Sequence, residues 1–276
     1  MNSASNQTEL KLVESAKSGD RSALERLLVR YQPHIYRFGM KMCGDPEDAK
    51  DVLQETMLAV ARNVRDFRGG SSMTTWLYSI ARSFCIKKRR RSKFAPEHEA
   101  SLNSVDGQRE ARAIPDKARG PDEELAGRQI EAALASAIAE LAPMYREVLV
   151  LRDIEGLTAP EVAEILGVSV EAVKSRLHRA RVSVRYHVAP LLGFGEPSPN
   201  CPDVLTLLSK HMEGEISADV CAEMERHLVS CPGCRGACDS LKNTLALCRA
   251  TPEPKVPGPV QESVRKAVER FLSARP

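Results

Sequence analysis

Aromatic residues and long apolar runs are both scarce in this sequence of 276 residues, and the lack of apolar runs argues against a membrane-spanning protein. Phe, Tyr and Trp together make up 4% of the chain, with a single tryptophan. No window approaches the length of apolar sequence that a bilayer requires, so we predict no membrane span. Residues 1–20 are polar and lack the apolar core of a signal peptide, which leads us to expect a cytoplasmic protein.

Strand patterning is also missing. Alternating Val/Ile runs are rare whereas Ala, Leu, Glu and Arg are common, so the expected fold class is all-α. The net charge of +3 is small, and any affinity for nucleic acid must therefore come from local clusters of basic residues.

Breaks in the helical patterning divide the chain, and the breaks are rich in Pro and Gly. The predicted segments are a helical domain at 9–95, a flexible linker at 96–122, a second helical domain at 123–190, a linker at 191–200, a cysteine-rich module at 201–250, and a Pro-rich linker with a tail helix at 251–276. The tail helix is amphipathic, with apolar residues on one face at Val260, Val264, Val268 and Phe271.

The second helical domain contains the pattern of a helix-turn-helix between Thr158 and Arg185. Thr158 and Glu161 have the spacing of a capping box, and Gly167 suits the left-handed position that ends a helix. Ser169 then caps a second helix with a basic face. This order is typical of a recognition helix that enters the major groove of DNA.

The basic side chains of this second helix are candidate DNA contacts, because arginine can bind guanine with two hydrogen bonds and lysine meets phosphates. The candidates are Lys174, Arg176, Arg179 and Arg181. A solvated basic helix on an ordinary bundle is the alternative, and His178 is expected to lie beside a phosphate or at the surface. We favour DNA binding because the caps, the turn glycine and the segregated faces agree.

The first helical domain has an acidic stripe at Asp48, Asp51 and Glu55, which is either a solvated face or a docking face for a basic partner. A glycine-containing loop follows at 67–72. The run from Arg82 to Lys93 then holds seven basic residues and no acidic one. Neighbouring aromatic residues suggest binding of single-stranded nucleic acid, although core packing is the favoured role of Trp76.

Three segments, Asp45–Glu55, Phe67–Arg82 and Glu161–Arg181, resemble the extracytoplasmic-function (ECF) sigma factors, which are specificity subunits of bacterial RNA polymerase. The resemblance covers roughly residues 9–190 and implies core RNA polymerase, through its β′ clamp helices and β subunit, and promoter DNA as partners. It implies that the −10 element is melted by the first domain and the −35 element is read by the second.

The resemblance also implies roles for particular residues. The implied polymerase-binding residues are Asp48, Asp51, Gln54 and Glu55. The implied DNA-binding residues at the −10 element are Arg68, Ser71, Ser72, Arg82, Ser83, Lys87 and Lys88, and those at the −35 element include Lys174, Ser175 and Arg179. Ser83 departs from the family, which often has Asn there, and this bears on the base preferred at −10.

Six of the eight cysteines fall in the cysteine-rich module, whereas Cys43 and Cys85 are isolated in the sequence. His227, Cys231 and Cys234 have the spacing of zinc ligands, and Cys201 is the expected fourth. A closed site of four protein ligands leaves no position for a catalytic water, so we expect a structural or sensory role and no enzyme activity.

The cysteine-rich module resembles the zinc-binding anti-sigma domain, which is usually a separate protein. We therefore expect it to act in cis, folding back on the sigma domains with the tail helix as part of the clamp. Cys221 and Cys248 are expected to be core thiols. Cys238 could exchange with a zinc ligand or help to bind a softer metal such as copper, and oxidation of the thiolates could release the metal.

Two other functions remain compatible with parts of the sequence. The first is a helix-turn-helix regulator that does not join polymerase, although the acidic stripe and the −10-type segment argue against it. The second is a metal-dependent nucleic-acid enzyme, which would need an open metal position or a clustered pair of carboxylates beside a basic groove. Neither feature is found in the sequence.

Overall fold

The computed structural model describes residues 3–94, 121–194, 197, 200–252 and 254–273. Within these ranges the chain forms helices, turns and bends but no β-strand, so the all-α prediction is confirmed. Most of the predicted linker at 96–122 lies outside the described residues. No helix in the described ranges is long and apolar enough to cross a membrane.

The helices in the described part of the chain are α1 (Ser3–Lys17), α2 (Arg21–Cys43), α3 (Pro46–Asn63), α4 (Met73–Phe94), α5 (Pro121–Glu140), α6 (Pro143–Leu149), α7 (Ala159–Leu166), α8 (Val170–Val188), α9 (Val204–Met212), α10 (Ala218–Ser230), α11 (Pro232–Arg249) and α12 (Gly258–Ser273). A π-helical turn at Val150–Ile154 follows α6, and 3₁₀ turns occur at Val64–Asp66 and Ala189–Leu192.

The chain divides into two compact units. The first unit comprises Met1–Ala113 together with Glu253–Pro276, and the second comprises Ile114–Pro252. The tail helix α12 therefore belongs to the first unit, although more than a hundred residues of the second unit separate it from α4 in the sequence.

The first unit has a core of apolar side chains from α2, α3 and α4, among them Phe38, Leu53 and Leu77. At the corner between α2 and α3, Gly44 takes the left-handed conformation (φ +74°) that ends α2, and the Asp45 carboxylate then accepts the backbone N–H of Asp48 to start α3. Helix α12 packs against α3. Its predicted apolar stripe is buried in that contact, at Val260, Val264 and Val268.

In the second unit, α5, α6 and α7 pack around α8, and α9 and α11 pack against α8 as well. The small core of the cysteine-rich module contains Val204, Leu208 and Leu241. Because α8 contacts both sets of helices, the cysteine-rich module and the predicted DNA-binding domain form one compact unit.

Candidate nucleic-acid interface and metal centre

The predicted helix-turn-helix is confirmed as a structure. Thr158 Oγ1 accepts the backbone N–H of Glu161, and the Glu161 carboxylate accepts the backbone N–H of Thr158 in return, which completes the capping box. Gly167 ends α7 with φ +67°, a conformation that favours glycine. Ser169 Oγ then accepts the backbone N–H of Ala172 and starts α8.

One stripe of α8 faces the cysteine-rich module. Its residues lie three or four positions apart and therefore on one side of the helix, at Lys174, His178, Arg181 and Arg185. The imidazole of His178 contacts Ser209 Oγ through Nδ1 at 2.8 Å and the Glu215 carboxylate through Nε2 at 2.5 Å. Lys174 Nζ donates to the backbone carbonyl of Glu213 at 3.3 Å, and Arg185 Nε donates to Ser240 Oγ at 2.7 Å.

Arg181 lies at the centre of this contact with none of its side chain exposed. Its guanidinium donates two hydrogen bonds to Asp153, at 2.8 and 2.6 Å, and a third to Glu213 at 2.8 Å. Burial lowers the pKa of Arg181, but the hydrogen bond and charge of Asp153 and the charge of Glu213 outweigh that effect and raise it.

The expected exposed face of α8 is therefore only partly exposed. Ser175 and Arg179 are exposed and Arg176 is half-buried, and Arg179 donates to the hydroxyl of Tyr145 at 3.3 Å. His178 and Arg181 were expected at the surface, but each is less than 10% exposed. The polar groups that surround them come from Asp153, Ser209 and the turn at 212–216, and no pattern within α8 itself reveals these partners.

The residues of α3 that were predicted to bind polymerase contact two other helices of the first unit. Lys88 Nζ of α4 lies 3.1 Å from the Asp48 carboxylate and also forms an ion pair with Asp51, and hydrogen bonds to both carboxylates raise the pKa of Lys88. Gln54 Oε1 accepts a hydrogen bond from Ser263 Oγ of α12 at 3.1 Å. Glu55 is exposed.

Helix α12 is also held at its C-terminal end. The guanidinium of Arg62 lies 5.5 Å from the centre of the Phe271 ring, in a cation–π contact between α3 and α12. Arg21 of α2 donates to the backbone carbonyl of Leu272 at 2.5 Å. The predicted polymerase-binding face of α3 is thus partly covered by the tail helix.

The predicted −10 segment begins with an aromatic pair. The Phe67 and Trp76 rings lie 5.2 Å apart with an interplanar angle of 36°, and both side chains are half-buried. Ser72 Oγ accepts the backbone N–H of Thr75 and so caps α4. Of the other predicted contacts, Arg68, Ser83 and Lys87 are exposed and Ser71 and Arg82 are half-buried.

The four predicted metal ligands come together. One ligand atom from each of Cys201, His227, Cys231 and Cys234 lies within 4.8 Å of the other three. Helix α10 presents His227 in its last turn, and Cys231 and Cys234 lie around the start of α11. Among the described residues, no other group of three or more His, Cys, Asp or Glu side chains has this geometry.

The geometry of this cluster fits a tetrahedral ion. Zinc–sulfur bonds of about 2.3 Å at tetrahedral angles place two sulfurs about 3.8 Å apart. The sulfurs of Cys201 and Cys231 lie 3.8 Å apart. His227 Nε2 is buried without a hydrogen-bond partner, which is costly unless a metal ion is its partner.

The other cysteines of the module lie outside the cluster. Cys248 is buried, as expected of a core thiol. Cys238, which was considered as an exchange partner for a metal ligand, is buried too, and burial raises its pKa. Cys221 is half-buried, and its sulfur contacts His211 Nδ1 at 3.6 Å and Glu225 at 3.8 Å. Cys221 is therefore less enclosed than the core thiol we expected.

Sequence reasoning missed one further pair. Cys43 and Cys85 are isolated in the sequence, yet their sulfurs lie 3.6 Å apart, at the end of α2 and in the middle of α4. The two residues are 42 positions apart, so no local spacing in the sequence predicts that they meet. The only relevant signal is the helical pattern of the first domain.

Family models match three parts of the chain. The Sigma-70 region 2 model matches residues 27–94, the Sigma-70 region 4 model matches 131–184, and a zinc-finger model matches 201–235. These matches fall on the α2–α4 part of the first unit, on the helix-turn-helix with the helices that support it, and on the four metal-ligand candidates.

Curated relatives extend over the first two of these parts. The chain is 30% identical to the RNA polymerase sigma-H factor of Pseudomonas aeruginosa over 185 residues, which is 66% of this chain and 94% of the relative. It is 28% identical to the ECF RNA polymerase sigma factor SigW of Bacillus subtilis over 181 residues, 66% of this chain and 97% of the relative.

A similar solved structure is that of CnrH in complex with the cytosolic domain of CnrY, with 26% identity and a TM-score of 0.46 over 63% of this chain and 93% of that chain. The sequence relatives show the family, because this chain matches two of them over nearly their whole length at 28–30% identity. With its region 2 and region 4 matches, its helix-turn-helix and the C-terminal zinc-finger match, the chain belongs to the ECF RNA polymerase sigma factors.

Proposed function

We propose that this sigma factor directs core RNA polymerase to promoters whose −10 and −35 elements it reads itself, and that its own C-terminal segment holds it inactive. In the active form, Asp48, Asp51, Gln54 and Glu55 dock on the β′ clamp helices. The region 2 segment melts the −10 element in the cytoplasm, where the polymerase works. Helix α8 reads the −35 element, with Lys174, Ser175 and Arg179 as its contacts.

The observation that carries the inhibitory part of the proposal is the acidic turn at 212–216. Its Glu213 and Glu215 lie against Lys174, His178 and Arg181 of the recognition helix. The Glu215 carboxylate pairs with Lys174, which would otherwise be free to meet a DNA phosphate, and both carboxylates would repel an approaching phosphate backbone. The turn therefore competes with promoter DNA at Lys174, which belongs both to this stripe and to the proposed −35 contacts.

The tail helix supports the same proposal in the first unit. Gln54 is one of four residues assigned to polymerase docking, and it is hydrogen-bonded to Ser263 of α12. A β′ helix and α12 cannot both occupy this side of α3. Release of α12 is thus the second condition for activity.

The metal in the cysteine-rich module is zinc in this proposal, held by Cys201, His227, Cys231 and Cys234. Sulfur and imidazole ligands in a closed tetrahedral arrangement are typical of structural zinc sites. Zinc would supply folding energy by fixing the start of α11 against the end of α10. The ion thereby keeps α9 and the acidic turn in place against α8.

Run-off transcription with core polymerase tests the proposal directly. The double variant Glu213→Gln/Glu215→Gln should give severalfold more transcript than the full chain, because the carboxylates no longer compete with DNA. Glu223→Gln is the matched control, since Glu223 is an exposed carboxylate of α10 in the same module. Equal transcript from the double variant and the full chain would contradict inhibition by the acidic turn.

Removal of residues 195–276 offers a coarser test of the same idea. The remaining chain has about the length of the curated relatives. It should give higher promoter output than the full chain, and an unchanged or lower output would count against inhibition in cis. Co-purification of the shortened chain with core polymerase also separates a sigma factor from a helix-turn-helix regulator that acts without polymerase.

A further inference from the structure

A pair of thiols in the first unit has no part in the proposed function. Cys43 is the last residue of α2, and Cys85 lies in the middle of α4. Their sulfurs are 3.6 Å apart. A disulfide requires about 2.05 Å between sulfurs, so side-chain rotation and a small shift of the helices would bring the two atoms to bonding distance.

The two thiols differ in their access to solvent. Cys85 is 1% exposed, whereas Cys43 is half-buried at the corner between α2 and α3. A small oxidant can therefore reach Cys43 first. The buried Cys85 is next to Cys43 and supplies the second thiol, which would react with the oxidised Cys43 to complete a disulfide.

The surroundings of Cys43 favour its reactive thiolate form. A hydrogen bond with Cys85, aided by the positive charges of Arg89 and Lys88, lowers the pKa of Cys43 in spite of its partial burial and the nearby Asp48. A lowered pKa at an accessible thiol is typical of cysteines that react with oxidants.

We propose that Cys43 and Cys85 are a modification site at which a hydroperoxide, such as hydrogen peroxide, forms a reversible disulfide between α2 and α4. The Cys43 thiolate attacks one peroxide oxygen, the O–O bond breaks, and the thiolate becomes a sulfenic acid while hydroxide leaves and takes up a proton. Cys85 sulfur then attacks the Cys43 sulfur, and the S–O bond breaks with loss of water. The two thiols lose two electrons and two hydrogens in all, and hydrogen peroxide is reduced to two molecules of water.

The disulfide would join the two helices directly beside the ion pairs of Lys88 with Asp48 and Asp51. It would close a loop between positions 42 residues apart in the sequence. A cross-link of this kind restricts the unfolded chain and rigidifies the contact between α2 and α4. The inference does not depend on the sigma-factor proposal, because the chemistry can be followed without transcription.

Mass spectrometry of the full, zinc-loaded chain tests the proposal. After treatment with hydrogen peroxide, alkylation and proteolysis, the Cys43 and Cys85 peptides should be found joined, with a loss of two hydrogens, and dithiothreitol should separate them. Zinc release is followed in the same samples with a colorimetric chelator, so that oxidation of the metal ligands is recognised as a separate reaction.

Three variants make the result specific. Cys43→Ser should abolish the cross-link, and Cys85→Ala should leave Cys43 as a sulfenic or more highly oxidised acid. Cys221→Ser is the control, because Cys221 is half-buried and belongs to neither cluster, and it should leave the cross-link unchanged. If Cys43 and Cys85 are both recovered fully alkylated, or Cys43 is joined to a different cysteine, the proposal is wrong.

Discussion

Arg181 and Asp153 form a bidentate ion pair in which neither side chain has any exposed area. Arg181 lies on the recognition helix and Asp153 on the π-helical turn that precedes α7. The pair joins the two parts of the DNA-binding domain beneath the surface. Glu213 of the cysteine-rich module accepts a hydrogen bond from the same guanidinium, so the proposed inhibitory contact adjoins a structural one.

Replacement of Asp153 should destabilise the second unit strongly. Asp153→Ala leaves the Arg181 charge buried with only Glu213 to balance it, which costs about 3–5 kcal/mol in comparable buried pairs. Chemical denaturation of the full chain, followed by circular dichroism, would show an earlier transition. Asp239→Ala is the control, because Asp239 pairs with Lys242 at the surface and its removal should cost less than about 0.5 kcal/mol.

If the Asp153→Ala variant and the native chain unfold at the same denaturant concentration, the buried pair does not stabilise the unit. Glu213→Gln provides an independent comparison, since it leaves the pair with Asp153 in place and should be far milder.

Loss of a metal ligand should release the ion and loosen the module. The full chain is expected to bind about one zinc ion per chain, as a closed site of four ligands does. Cys234→Ser and His227→Ala should each bind much less, measured by metal analysis after dialysis. Limited proteolysis should then cut at the turn 212–216, which the folded module otherwise holds against α8.

The matched control for the metal experiment is Cys221→Ser, which should keep its zinc. Zinc retained in full by the His227→Ala chain would mean that His227 is not a ligand. Its unpartnered Nε2 would then need another explanation.

Detachment of the tail helix should increase binding to core polymerase. Val264 is 2% exposed in the contact of α12 with α3, and Val264→Asp places a charge in that contact at a considerable cost. We expect at least a severalfold higher affinity for core polymerase in a pull-down or fluorescence titration. Ser273→Asp adds the same charge at an exposed position of the same helix and should leave the affinity unchanged.

A Val264→Asp chain that binds core polymerase no better than the native chain would show that α12 does not block docking. Far-ultraviolet circular dichroism of the variant is needed beside the titration, to show that the first unit remains folded.

Alkylation of Cys43 should depend on pH in a way that reveals Cys85. Alkylation requires the thiolate, and the pKa of Cys43 is lowered chiefly by its hydrogen bond with Cys85. The rate of reaction with iodoacetamide should therefore reach its half-maximum at a lower pH than that of an ordinary cysteine. Since the folded-state pKa lies below the unfolded one, deprotonation also favours folding as the pH rises through this window.

In Cys85→Ala the half-maximum for Cys43 should move to higher pH. Cys221, measured in the same peptide maps, serves as the internal control, because its pKa is raised by desolvation and by Glu225 and does not depend on Cys85. An unchanged profile for Cys43 would show that the sulfur–sulfur contact does not influence its ionisation.

The parts of the site that sequence reasoning predicted are those defined by local spacing. The two residues of the capping box lie three positions apart, the turn glycine ends the same short helix, and His227, Cys231 and Cys234 lie close together at the end of α10 and the start of α11. Side chains at such separations have few possible arrangements, so their residue types are enough to predict the geometry. Cys201 is more distant, and its assignment rested on its place upstream in the same module, with which the family resemblance agrees.

The sequence by itself determined the all-α class, the helix-turn-helix and the candidate metal ligands His227, Cys231 and Cys234, because each depends on periodicity or short-range spacing. Tertiary structure alone decided which basic residues of α8 are buried: Arg181 meets Asp153 across 28 positions and His178 meets Glu215 across 37. It likewise brought Cys43 to Cys85. Contacts between positions so far apart depend on how whole helices pack, and helical periodicity indicates that a face is buried without indicating which partner buries it.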